Sequence, residues 1–231
     1  MPTHTHPRAT MRLDAISISR VLVYCFILWS AFDRYVLPKG YVFDPARLQE
    51  ISQESIALYG DDSGNYNRTL LFNDLSARLK REYPKYVTEI NWDEWVFNNA
   101  GNAMGAMVLL HASVSEYLII FGTPVGTEGH TGIHMADDYF TILTGQQTFF
   151  YAGHVEPLVY NPGHQNWMKR GQKAQYQLKG FALELAQGCI PCMLPFGLLE
   201  VLTSTMDYKS FGWTAWYTGR HMVANLLQGK I

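Results

Sequence analysis

AQYQLKGFALEL, residues Ala174 to Leu185, alternates with a period of two. That period sends successive side chains to opposite faces of a strand. Tyr176, Leu178, Ala182 and Glu184 then share one face, and Gln175, Gln177 and Lys179 share the other. The first face is apolar except for Glu184, so it is the buried one and the carboxyl points into it. A lone acid in such a setting is costly unless it is paired or put to use.

The chain around this strand has the same texture. From Trp92 onward glycines are frequent and no 3.6-residue period is visible. Leu109 to Phe121 reads as a second strand, with glycine-bearing turns expected near Gly101, Gly122, Gly126, Gly145, Gly153, Gly163 and Gly171. Short, closely spaced strands indicate a sandwich or barrel.

Helices flank this region. Phe43-Asp44-Pro45 combines a staple residue, an N-cap and a proline at the first helical position. Leu48, Ile51, Ser55 and Leu58 mark one face of the helix that follows, and Leu71, Leu75 and Leu79 mark a second, ending before Pro84. Gly60 to Tyr66 is polar and reads as a loop. Asn67-Arg68-Thr69 has the form of a glycosylation sequon, but its place at a helix start favours capping. Beyond Pro191 two apolar helices are expected over Met193 to Thr205 and Tyr208 to Leu227, the second capped by Asp207. The second suits either a membrane interface or a core helix pair. The fold class is α+β.

Composition narrows the functions. The 231 residues are 48% hydrophobic with a formal net charge of −2. No basic tract interleaves with aromatics, so nucleic acid is an unsuitable partner. Cys25, Cys189 and Cys192 are too few, and odd in number, for a disulfide framework. The CxxC of Cys189 and Cys192 has no second copy to complete a zinc site, so a structural role is preferred.

Near the N-terminus, Val21 to Phe32 is uncharged but shorter than the ~20 residues a bilayer core requires. Extended to Ile16, with Arg20 snorkelling, and on through Leu37, the segment is long enough. Bulky Tyr35, Val36 and Leu37 follow where a signal peptidase would need small residues. A retained anchor within residues 1–40 is therefore expected, with Arg8, Arg12 and Arg20 on its cytoplasmic side and residues 41–231 beyond it.

GTEGHTGIHMADDYFTIL, Gly126 to Leu143, concentrates His130, His134, Glu128, Asp137 and Asp138. Taken as one strand, it puts His130, His134 and Asp138 on one face and Asp137 on the other. Asp138 is thus the expected inward acid, with His134 beside it. His130 is expected to brace the glycine-rich turn, and Glu128 and Asp137 to be turn or surface acids. Tyr117, in step with Ile119 and Phe121, is positioned to donate its hydroxyl to an inward carboxylate. A metal-dependent enzyme using His130, His134 and an aspartate is a weaker alternative. Residues four apart in a strand stand ~13 Å apart, too far to share an ion.

EWVFNNAGNAMGAM from Glu94, LLHASVSEYLIIFGT from Leu109, GTEGHTGIHMADDYFTILTG, FALELAQGCIPCMLPFG from Phe181 and the NLLQ close at Asn225 resemble the fungal sterol C-8 isomerase family, to which the sigma non-opioid receptor is related. The resemblance spans about residues 20 to 230. It implies a cupin-like β-barrel with flanking helices, one N-terminal transmembrane helix, and a C-terminal membrane-associated helix pair. It also implies a single-pass protein of the endoplasmic reticulum membrane, a homotrimer, and a place in ergosterol synthesis. Glu128, His134 and the Asp137-Asp138 pair are all present, the pattern of the family's catalytic branch.

The implied reaction is a sterol Δ8–Δ7 double-bond shift through a carbon-8 cation, with no cofactor and no metal. Glu184 and Asp138 are the expected acid and base, in either order, with His134 tuning or relaying protons and Tyr117 orienting. Met107, Leu109, Ile119, Phe121, Phe140, Tyr176 and Ala182 are the candidate sterol-contacting residues, though with Met104 they would be ordinary core in any barrel. In the family the acid matching Glu184 holds cationic amines, so morpholine-type amines are expected inhibitors. A non-enzymatic amine- or sterol-binding receptor is the alternative.

Overall fold

A computed structural model describes residues 15–60 and 66–231. His4, His6, Arg8 and Arg12, and most of the expected loop after Gly60, lie outside the described residues. The chain opens with helix α1 (Ala15–Tyr35), and a candidate span over Ile18–Gly40 is long and apolar enough to cross a membrane. Its side chains are almost wholly exposed, so the rest of the chain does not use it as a core helix. The ion pair of Asp33 with Arg170 ties its end to the body.

Helices α2 (Pro45–Tyr59) and α3 (Arg68–Glu82) begin as their sequences require. Asp44 accepts from the N–H of Ala46, and Asn67 accepts from the N–H of Leu70, which gives Asn67 the capping role. Leu48 and Ile51 of α2 and Leu71, Leu75 and Leu79 of α3 bury one face of each helix. Leu58 does not join them; it is 60% exposed at the helix end.

Seven strands follow: β1 (Val96–Ala100), β2 (Ala103–Ala112), β3 (Glu116–His130), β4 (Ala136–Phe150), β5 (Leu158–Tyr160), β6 (Gln165–Met168) and β7 (Gln175–Gly188). They form one antiparallel sheet in the order β1-β2-β3-β7-β4-β5, with β6 also paired to β4. The last long strand thus lies at the centre, between β3 and β4. Helix α4 (Ile190–Glu200) runs into a wider π turn over Val201–Thr205, and α5 (Tyr208–Leu227), capped by Asp207, ends the fold.

Both faces of the sheet are apolar. Val108, Leu110, Leu118, Ile120, Leu183 and Leu185 pack with α2 and α3 in one cluster. Their alternating neighbours, Met107, Leu109, Ile119, Phe121 and Ala182, form the other, joined by Tyr217 and Met222 of α5. The second surface is called the inner face below. Met104 is not part of it and is largely exposed.

Several expectations are corrected. Leu109 to Phe121 is not one strand: the chain turns at Ser113–Ser115, where the Ser113 N–H donates to Glu116 O at 2.8 Å and the Ser113 hydroxyl adds local bonds. The turn contains neither Gly nor Pro, so the apolar run hides it. His130 to Asp138 is not one strand either; the chain reverses at 131–135 with Gly132 at φ 67°. Gly122, Gly126 and Gly145, expected in turns, lie inside strands, the first two in β3 and Gly145 in β4 opposite Gly180. A Cβ on Gly145 would meet Lys179 O at 1.8 Å, and one on Gly180 would meet Thr144 O at 1.9 Å, so this crossing requires both glycines. Cys189 and Cys192 form a disulfide at the β7–α4 junction, a pairing that composition did not indicate.

Candidate active site

Strand register builds the site. Glu184 lies opposite Ile119 on β3 and Phe140 on β4, so the central strand presents its carboxyl between two inner-face apolar residues. Asp138 pairs with Ala186, two positions along β7. Phe140 and Asp138 share a face of β4, which makes Glu184 and Asp138 diagonal neighbours across the strand pair, about 7–8 Å apart by ordinary sheet spacing.

Asp138 is 0% exposed and forms an ion pair with the Nδ1 side of His134. The chain reversal, not strand parity, brings that histidine back over the acid. Asp137 faces outward, where it accepts from the Trp167 indole N–H and the Arg170 N–H. His130 is exposed and its Nδ1 accepts from the Gly132 N–H, bracing the turn. Glu128 is exposed.

Burial governs proton affinity here. It pushes the Glu184 carboxyl up from 4.5 to about 8, with the Asp138 charge adding and His134 opposing. Burial also raises Asp138, against the pull of His134. For His134 burial disfavours the imidazolium, yet the Asp138 charge and contact, helped by Glu184, raise its pKa overall. At neutral pH Glu184 therefore keeps its proton, and it does so beside the buried Asp138–His134 pair. A protonated acid and a second carboxyl paired with an imidazole on one apolar surface are groups that can add and remove protons on a hydrocarbon.

Met107, Leu109, Ile119, Phe121, Phe140, Tyr176 and Ala182 all lie in the inner-face cluster. Tyr176 stacks on Phe149 with ring centroids 5.6 Å apart. Tyr117 reaches the same surface, but its hydroxyl bonds Thr218 Oγ1 of α5 at 3.1 Å instead of a carboxylate. Burial pushes its phenol up to about 12, with Thr218 opposing and Glu184 adding. Tyr117 thus links β3 to the last helix.

Sequence reasoning missed three polar groups. Glu116 is wholly buried and bonds Lys230, Gln187 and the backbone N–H groups of Val42 and Phe43, a structural junction. Asn166 and Gln147 are buried amides whose registers, opposite Phe140 and Leu178, turn them to the inner face. Asn166 alternates with buried Met168 around exposed Trp167, a signal too short to read without knowing β6 exists. For Gln147 the register shift between Ile142 and Thr144 breaks parity.

A membrane-length helix, a two-faced antiparallel sheet and paired carboxyls on its apolar side define a class: membrane-associated proteins acting on a nonpolar ligand by proton chemistry. The family described as "ERG2 and Sigma1 receptor like protein" matches residues 17–230, and this chain belongs to it. The chain is 47% identical to the C-8 sterol isomerase of Mycosarcoma maydis over 93% of this chain and 90% of that protein. It is 32% identical to the sigma non-opioid intracellular receptor 1 of Gallus gallus over 82% of this chain and 81% of that one. A cupin superfamily protein from Desulfitobacterium hafniense overlaps 35% of this chain and 74% of its own, at 14% identity and a TM-score of 0.31. That overlap is too slight to carry an argument about the site.

Proposed function

We propose that this protein is a sterol Δ8–Δ7 isomerase of ergosterol synthesis. The observation that carries the mechanism is the diagonal placement of a high-pKa Glu184 and a buried Asp138 on one apolar face. Protonated Glu184 is the acid. It adds its proton at carbon 9, which leaves the positive charge on carbon 8. Asp138 takes a proton from carbon 7, and the electrons of that C–H bond form the new double bond. Substrate and product are isomers, so no proton is consumed; His134 relays the abstracted proton back toward Glu184.

The anion also stabilises the cation. At ~4 Å and an effective dielectric near 20 the attraction is about 4 kcal/mol, on the order of a thousandfold in rate. An ammonium in the same place imitates that cation, so morpholine-type amines are proposed as inhibitors. Tyr117 acts through Thr218 by holding α5 over the acids.

The inner face is proposed to close as a cupin-like barrel roofed by α5. Phe196 and Leu199 of α4, with Trp213, Trp216 and Val223 of α5, are exposed and would lie in the lipid, admitting sterol from the membrane. The proposed setting is the endoplasmic reticulum membrane, as a homotrimer.

The test is sterol profiling of isomerase-deficient yeast expressing this chain or its Glu184→Gln form. The unaltered chain restores Δ7 sterols, whereas the variant leaves Δ8 sterols accumulating. Equal rescue by both refutes the role of Glu184. No rescue by either, with both proteins present in membranes, favours a non-enzymatic amine- or sterol-binding protein.

A further inference from the structure

The inner face holds two buried amides that the proton chemistry leaves unused. Asn166 is 1% exposed and Gln147 is 0% exposed. Among the described residues, Nδ2 of Asn166 and both Nε2 and Oε1 of Gln147 have no hydrogen-bond partner. A buried donor left unpaired is destabilising, and its retention points to a ligand group that pairs with it.

Position decides between them. Glu184, Phe140 and Asn166 stand in one row across β7, β4 and β6. Two strand spacings put Asn166 about 9–10 Å from the acid, in the direction across the strands. Gln147 lies opposite Leu178, six residues along β7 from Glu184, or ~20 Å along an extended strand. In a Δ8 sterol the reacting double bond is shared by rings B and C, and the hydroxyl sits on ring A. That separation is one ring and a bond or two, which matches the row and falls well short of Gln147.

We propose that Asn166 donates its side-chain N–H to the ring-A hydroxyl oxygen of the sterol, fixing which carbons face Glu184 and Asp138. This inference rests on the isomerase reading. The amide also sets specificity: a substrate lacking the hydroxyl leaves the buried donor unpaired, which the site penalises. Phe140, opposite it, and Met168, on the same face of β6, offer no acceptor, and Asp138, its diagonal neighbour, is paired with His134.

The experiment measures kcat/KM of the full-length protein in detergent for a Δ8 sterol and for its 3-deoxy analogue. Wild-type protein is expected to prefer the hydroxylated substrate by about 10- to 100-fold. Asn166→Leu loses that preference to within about threefold and loses activity mainly on the sterol, while Gln147→Leu retains it. Binding of a tertiary amine beside the two carboxyls, Glu184 and Asp138, reports that each variant is folded. Wild-type protein converting both substrates equally overturns the proposal without any variant. So does a preference that survives in Asn166→Leu or disappears in Gln147→Leu. Failure of the wild-type protein to convert either sterol defeats the isomerase reading itself and this inference with it.

Discussion

A carboxyl group that keeps its proton up to about pH 8 gives the site both its chemistry and its weakness. As the acid, Glu184 must be protonated, so kcat/KM is expected to fall as pH rises through about 8. A pH–rate profile flat from 6 to 9.5 contradicts that assignment. Stability follows the same group. Its folded pKa lies above the ordinary value of 4.5, so the folded chain binds the extra proton between these pH values. The associated stability is complete below about 4.5 and is lost as pH climbs through about 8. Glu184→Gln removes this loss. Its thermal midpoint should exceed that of the wild type by an amount that grows from pH 5 to pH 8, corresponding to a few kcal/mol at most. The variant would be firmer and inactive, as expected where a functional group is strained by its setting. The inward placement of this acid was legible because period-two alternation survives around it. Asp138 was assigned inward from a strand that does not exist as drawn; β4 alone supplies the parity, and a chain reversal supplies His134.

Elements were legible where local chemistry announces them. Asp44, Asn67 and Asp207 cap helices because their side chains meet orphan N–H groups within three residues. The β2–β3 hairpin was hidden because its turn is made by serine and because Glu116, which reads as surface, is satisfied by groups more than seventy positions away. Glu116 accepts from the Val42 N–H at 2.7 Å and from Gln187 at 2.8 Å, and Lys230 lies 2.8 Å from it. This one carboxylate joins the segment after α1, the central strand and the chain's last residues. Lys230→Met leaves it buried and half-compensated, so a loss of about 3–5 kcal/mol is expected in chemical denaturation. Combining that change with Glu116→Gln should cost less than the two single losses added, because the stranded charge is gone. Simple additivity would show that the pair does not act as a unit.

Across the described residues, exposed apolar surface is concentrated on α1 and on one side of α5. Helix α1 is exposed along its length, while Trp213 at 55% and Trp216 at 60% exposure continue an apolar surface on α5. The opposite face of α5, with Thr218, His221 and Asn225, is buried against the sheet. One helix is long enough to span and the other is amphipathic, so the proposed membrane setting would involve two distinguishable modes of attachment. Deleting residues 1–35 leaves Leu37 and the Lys230–Gly40 contact intact, so the body should still fold. That truncated protein is expected to remain with membranes at neutral pH but to be released by alkaline carbonate, as a surface-bound protein is and a spanning one is not. Adding Trp213→Glu and Trp216→Glu should release it even without carbonate, since each charge removes an aromatic from the interface and has no place among acyl chains. A truncated chain that is already free in the supernatant would mean that α1 alone holds the protein to lipid, and that sterol reaches Glu184 by some path other than beneath α5.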